Sequence, residues 1–296
     1  MKKISSLKKI DSLNNATDCI YVYDYPLIRK YQDSFKIDDI KEIFKAINTL
    51  SIERPNIRGD FYRDGKNLTQ TVSSELMEEL EKDISKLNDV SLSVRVSNFQ
   101  LIDKDIRVIT NKLSQELKES VTCNMYITPS SEENCFKYHI DEQQSIIAQL
   151  YGSKRWFFPM VAANNFMKRL EIQDVNNIND DIKEEFIVNT GDSFVIGQNI
   201  VHKAHLEGST MSVHLTFAVL KQNAFNITKY IIETLKESFI EDGHQYQSIK
   251  TASDIENLKS NLVKKIQNID SEKEIITINK AQMVNDISIL KKGRHY

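Results

Sequence analysis

The chain has 296 residues, 40% hydrophobic and 27% charged, the balance of an ordinary globular protein rather than a disordered or fibrous one. Lys plus Arg number 39 against 42 Asp plus Glu, a formal net charge of -3, which speaks against a protein built to coat nucleic acid. Eight glycines and four prolines are too few for a collagen-like or linker-rich architecture, and the length suits one large domain with an appendage, or two domains.

Three cysteines, Cys19, Cys123 and Cys135, make neither a disulfide framework nor a C-x-x-C zinc pair. A reducing, cytoplasmic setting is the expectation. Met1 to Lys9 is basic, but no apolar core comes after it, so a secretory signal is not expected. No run approaches the roughly 18 apolar residues of a membrane span.

Residues 1–90 read as a helix-and-loop segment packing on the strand-rich region beyond residue 90. Ile40, Ile43, Phe44 and Ile47 keep helical spacing, as do Leu76, Leu80, Ile84 and Leu87 behind a Ser73-Ser74 cap. Arg54 to Asn67, with Pro55, Gly59 and Gly65 among charges, reads as a surface loop. From residue 91 the period changes. Leu92, Val94 and Val96 alternate with Ser and Arg, a half-buried strand. Ile106, Ile109, Leu113 and Leu117 then predict a helix.

Strand-like runs come next at Thr122–Thr128, Ser145–Tyr151 and Lys154–Phe158, the last two flanking Gly152-Ser153, a two-residue hairpin signal. Phe186–Asn189 and Ser193–Ile196 flank a Thr190-Gly191-Asp192 turn, and Ser212–Leu220 closes the series. Many short strands joined by turns predict a sandwich or barrel over 91–222. Residues 223–296 return to helical spacing: Ile227, Ile231 and Leu235 are four apart, and Ser253 with Glu256 forms a capping box ahead of Leu258, Leu262, Ile266 and Ile269. This predicts a helical packing or dimerisation module.

The chemistry concentrates in few residues. Of six histidines, His202, His205 and His214 fall within one short stretch, and His139 belongs to His139-Ile140-Asp141. In a strand, residues i and i+2 share a face, so His139 and Asp141 can present an imidazole and a carboxylate side by side. One more histidine from a neighbouring strand completes a two-His, one-carboxylate facial triad, which leaves positions open on Fe(II) for a co-substrate and dioxygen. His-x-Asp alone is a common tripeptide; its surroundings give it weight.

Tyr138-His139-Ile140-Asp141, followed by Gln149-Leu150-Tyr151-Gly152-Ser153-Lys154-Arg155-Trp156, resembles the JmjC-type cupin oxygenases, in particular the branch of ribosomal oxygenases and their bacterial relatives. That branch shows H-Y-D and then Q-L-x-G-x-K-x-W, and Lys154 keeps the fifteen-residue spacing from His139. Gly191-Asp192-Ser193-Phe194, Ile200-Val201-His202-Lys203-Ala204, His214-Leu215-Thr216 and Asn124-Met125-Tyr126-Ile127-Thr128-Pro129 are similar to the family's remaining segments. The resemblance covers about residues 90–222.

The resemblance implies a double-stranded β-helix with N-terminal helices, Fe(II) held by His139, Asp141 and His202, and Lys154 on the distal carboxylate of 2-oxoglutarate. His202 is preferred over His205 and His214 because its distance from Gly191 matches the family segment. Asn124 and Tyr126 share a strand face and could add hydrogen bonds to the co-substrate; His214 could line the pocket. Trp156, Phe157 and Phe158 read as barrel core rather than a substrate platform. Two positions depart from the family: the proline expected before the distal histidine is replaced around Gly197, and Ala218 stands where some relatives carry a hydroxyl. The implied activity is hydroxylation of a side chain of a protein or peptide, with a homodimer formed through the C-terminal helices and no membrane partner. The alternatives are oxidation of a tRNA base, against which the weak charge speaks, and a cupin-like binding protein without turnover.

Overall fold

The computed structural model describes, with short gaps, residues 20–50, 58–130, 136–159 and 182–220, a few positions before residue 11, and residues 256, 257 and 260. Its elements in chain order are β1 (Lys2–Lys3), β2 (Lys9–Ile10), β3 (Ile20–Tyr23), α1 (Pro26–Ser34), α2 (Asp39–Leu50), β4 (Arg58–Arg63), β5 (Lys66–Asn67), α3 (Ser74–Lys82), α4 (Lys86–Val90), β6 (Ser93–Ser97), α5 (Lys104–Leu117), β7 (Ser120–Thr128), β8 (His139–Ile140), β9 (Gln144–Tyr151), β10 (Ser153–Pro159), β11 (Ile182–Asn189), β12 (Ser193–Ile196), β13 (Val201–Glu207) and β14 (Ser212–Leu220). The chain divides into two compact units, Met1–Leu220 with Leu290–Tyr296 and Lys221–Ile289. The expected C-terminal helical module lies outside the described residues, as do Cys19 and Cys135.

The strands form a nine-stranded sheet, β2-β3-β12-β9-β14-β7-β6-β4-β5, and a five-stranded sheet, β1-β11-β10-β13-β8. Side-chain alternation explains how they pack. On the larger sheet Met125 and Ile127 of β7, Val94 and Val96 of β6, and Val213, Leu215 and Phe217 of β14 join Ile40, Phe44 and Ile47 of α2 and Ile106, Ile109 and Leu113 of α5 in one core. The helices therefore cover that face. The opposite face carries Ile147, Phe194 and Ile196, which meet Trp156 and Phe158 of β10 and Phe186 and Val188 of β11 in a second core. The larger sheet is covered on both sides, so β9 and β14 are buried nearly end to end. Two sheets facing one another in this way form a double-stranded β-helix.

The helix starts obey local capping chemistry. Ser73 Oγ accepts from Leu76 N at 3.2 Å, and Asp103 Oδ1 accepts from Asp105 N and Ile106 N at 2.8 and 2.9 Å. The stripe from Leu76 to Leu87 is not one helix: α3 ends at Lys82, with Asp83 extended, and α4 comes after it.

Two expectations are corrected. The charged stretch expected to be a surface loop contains β4, which pairs with β6 and buries Phe61 and Tyr62. Its charge is accommodated because Asp60, buried at 2% exposure, accepts from Arg95 Nη2 at 2.6 Å. The Gly152-Ser153 turn does not close a hairpin. β9 pairs with β12 and β14, whereas β10 pairs with β11 and β13, so the turn carries the chain from one sheet to the other. The β11–β12 turn does the same at the same end, and Thr190 Oγ1 donates to Gly152 O at 3.2 Å, tying the two corners together.

Gly152 has φ +65°, and a Cβ there would stand 2.2 Å from the Met211 carbonyl oxygen. Gly152→Ala adds left-handed strain to a backbone clash, and the expected loss of stability exceeds about 2 kcal/mol by urea denaturation. Gly208→Ala, also at positive φ but with open space around it, loses less.

Candidate metal centre and its pocket

β8 pairs with β13 in antiparallel register, with His139 directly opposite His202. Directly opposed residues project to the same side of the sheet, and Asp141 lies two positions after His139. One cross-strand pair plus one i+2 step thus converges three side chains. Their ligand atoms all lie within 4.8 Å of one another, and His202 Nε2 is 3.7 Å from Asp141 Oδ2.

Hydrogen bonds fix the tautomers. His139 Nδ1 lies 2.8 Å from Lys137 O, and His202 Nδ1 lies 2.9 Å from Ile200 O. A carbonyl oxygen can only accept, so each Nδ1 carries the proton and each Nε2 keeps its lone pair for a metal. The His202 pKa is pushed down to about 4, by burial first and by the neighbouring His139 next, while Asp141 and the Ile200 carbonyl oppose the shift. At neutral pH this imidazole binds a cation without releasing a proton. Two imidazoles and a carboxylate with open space before them suit a divalent first-row ion.

Both sheets line the pocket in front of this centre, through Tyr126, Phe136, Ile147, Lys154, Trp156, Ala204, His214 and Thr216 as well as the three candidate ligands. Lys154 is only 2% exposed. His214 stacks on Tyr126, with ring centroids 4.9 Å apart and planes 6° from parallel. Burial, and after it the Lys154 cation, hold the His214 pKa well below the ordinary value. Two buried polar atoms of the lining, Trp156 Nε1 and His214 Nδ1, have no hydrogen-bond partner among the described residues.

His139, Asp141, His202, Lys154, Tyr126 and His214 therefore meet in one cavity. Asn124 does not join them: it shares a strand with Tyr126, but its Oδ1 accepts from Asn98 N at 3.1 Å. His205 projects from the other side of β13, its ring 4.8 Å from that of Phe157. Thr216, Phe136 and Trp156 are lining residues that sequence reasoning missed or assigned to core. Strand periodicity carried the signal for two of them, since Thr216 is two residues from His214 and Trp156 two from Lys154. Phe136 sits before β8, where no periodicity marks it.

The two depressed histidines make acid sensitivity predictable. A folded-state pKa below the unfolded value means that the unfolded chain takes up the proton first as pH falls. The metal-free protein loses stability on acidification from about pH 6.5 towards about 4. A urea series across that range checks it, and His214→Asn flattens the profile.

The protein-family model of the JmjC domain matches residues 96–227. Among curated proteins, the chain is similar to "Bifunctional lysine-specific demethylase and histidyl-hydroxylase NO66" of Drosophila grimshawi, 26% identical over 136 residues, 45% of this chain and 18% of that protein. The protein of the same name from Caenorhabditis elegans is 26% identical over 139 residues, again 45% of this chain and 18% of the relative. The chain thus spans less than a fifth of these relatives' length. Among solved structures, Escherichia coli ycfD superposes with a TM-score of 0.49 at 10% identity, over 82% of this chain and 63% of that one.

Proposed function

With a JmjC domain over residues 96–227 as the premise, we propose that the protein is an Fe(II)- and 2-oxoglutarate-dependent oxygenase that hydroxylates a side chain of a protein or peptide. The observation that carries the reading is the pairing, in one cavity, of the His139, Asp141 and His202 acceptors with the buried Lys154 amine. His139 Nε2, His202 Nε2 and an Asp141 oxygen would hold the metal. Lys154 would hold the far carboxylate of the keto acid. Bound Fe(II) would supply dioxygen activation coupled to conversion of 2-oxoglutarate into succinate and CO₂, with one oxygen atom inserted into a substrate C–H bond.

The chain's own residues prepare that chemistry. The Lys137 and Ile200 carbonyls orient the imidazoles. Ile147 lines the cavity and packs with Phe158, Phe186 and Phe194 in one apolar core, and an apolar surrounding strengthens the attraction between Lys154 and a carboxylate. The substrate class draws support from the relatives' printed names, which describe action on lysine and histidine residues.

The test offers Fe(II), 2-oxoglutarate and, separately, ribosomal proteins, short peptides or tRNA, and measures succinate together with the mass gain of one oxygen atom. A gain on protein or peptide is the expected result. A gain on tRNA alone moves the assignment to the base, and succinate no higher than with the His139→Ala protein rejects turnover. The reading extends to a cytoplasmic enzyme that pairs through the segment around 225–269, supported by the helical spacing of Ile227, Ile231 and Leu235 in the sequence. Light scattering that finds only the single-chain mass removes the pairing. Among the described residues no helix is long and apolar enough to cross a membrane.

A further inference from the structure

We propose that Trp156 is a ligand-binding residue whose indole N–H, with His214 Nδ1 in the same cavity, hydrogen-bonds the distal carboxylate of the pocket ligand and so helps the site select a keto diacid over a keto monoacid. The inference rests on the oxygenase reading for the identity of that ligand. It stands on the polarity of the cavity and the register of its strands.

The cavity has two chemically opposite ends. At the β8 end the groups are acceptors: two imidazole Nε2 atoms and a carboxylate. Along β10 they are donors. In the β10–β13 ladder Trp156 is opposite Ala204 and Lys154 opposite Leu206, two and four residues beyond His202. At about 3.4 Å per residue, the Trp156 backbone stands about 7 Å and the Lys154 backbone about 14 Å along the strand from His202. A ligand held at one end by the triad and at the other by the Lys154 amine passes in front of the indole.

The indole's surroundings among the described residues leave its N–H without a partner. Trp156 is 4% exposed and packs edge-on to Phe194, with ring centroids 5.1 Å apart. It stacks near His202 at 5.8 Å and meets His214 edge-on at 5.8 Å. Its contacts are thus made by the ring, and Nε1 has no acceptor among the described residues. A buried N–H without a partner is rare in a native fold and calls for a specific cause. Phenylalanine would fill most of the same volume without that donor. A second orphaned atom, His214 Nδ1, lines the same cavity, and the opposing residue, Ala204, is small enough to leave room there. The unsatisfied indole N–H and the buried amine are donors that suit a carboxylate, joined by His214 Nδ1 in the tautomer that carries its proton there, and they would leave an uncharged ligand end poorly held.

The experiment uses the full chain loaded with Zn(II), which is diamagnetic and does not turn over. It compares 2-oxoglutarate with 2-oxobutyrate, which has the same keto acid end and no distal carboxylate. Trp156→Phe is expected to weaken 2-oxoglutarate binding by about tenfold or more and to leave the affinities for 2-oxobutyrate and Zn(II) unchanged. An equal loss for both keto acids, or no loss for either, overturns the proposal. Because the chain has one tryptophan, its nitrogen-15 spectrum has one indole N–H resonance, which gives a readout free of any folding defect in the variant. That resonance is expected to move downfield with 2-oxoglutarate and not with 2-oxobutyrate; the same position with both ligands counts against the hydrogen bond. If the wild-type protein with Zn(II) fails to bind 2-oxoglutarate at all, the oxygenase reading has failed instead.

Discussion

His139→Ala lowers affinity for Mn(II), measured by equilibrium dialysis, by more than about 100-fold and removes succinate formation, while the fold persists. Changes to groups that merely orient metal ligands cost roughly 10- to 100-fold, so loss of a ligand costs more. The fold is insulated because β8 has two residues at the edge of the smaller sheet, paired among the described residues to β13 alone, and His139 is partly exposed. Its removal leaves both cores intact, so stability changes by no more than about 1 kcal/mol. His205→Ala is the matched control: it lies on the opposite face of β13, against Phe157, and is expected to leave metal affinity unchanged. Equal effects of the two substitutions would mean that the triad is misassigned.

Lys154→Met separates the co-substrate from the metal. The amine is buried and lines the pocket with the triad, so methionine keeps the length and volume of the side chain and removes its charge. Affinity for 2-oxoglutarate, measured calorimetrically with Mn(II) present, is expected to fall by about 30-fold or more, the cost of truncating one partner of a buried charge pair. Mn(II) affinity is expected to hold. The cation also helps depress His214, so in the variant the His214 pKa moves up, though burial keeps it below the ordinary value. Unchanged 2-oxoglutarate affinity would show that the anion is held elsewhere.

The arrangement of the sheets and the convergence of the site were legible in different ways. Strand-like runs at Thr122–Thr128 and Ser212–Leu220 were visible, and each strand has one face on the helices and one on the cavity. What periodicity could not convey was pairing. Gly152-Ser153 has the local chemistry of a hairpin, and only the long-range partners of β9 and β10 make it a crossover. β4 was hidden for a related reason. Its charges suggested solvent, and the residue that neutralises Asp60 is Arg95, 35 positions away.

The triad itself was half local. His139 and Asp141 are visible as an i, i+2 pair, whereas His202 joins them through a ladder contact that no spacing encodes; there the likeness to known motifs supplied what periodicity lacked. Asn124 stands apart from the cavity lining. It shares a strand face with Tyr126, but a nearby backbone N–H claims its side-chain oxygen.

A crystal soaked in Mn(II) and examined by anomalous scattering tests the central claim most directly. A single strong peak is expected within coordination distance of His139 Nε2, His202 Nε2 and an Asp141 carboxylate oxygen. A peak bound to His205 or His214 in place of any of these, or no ordered ion in the cavity, would contradict it.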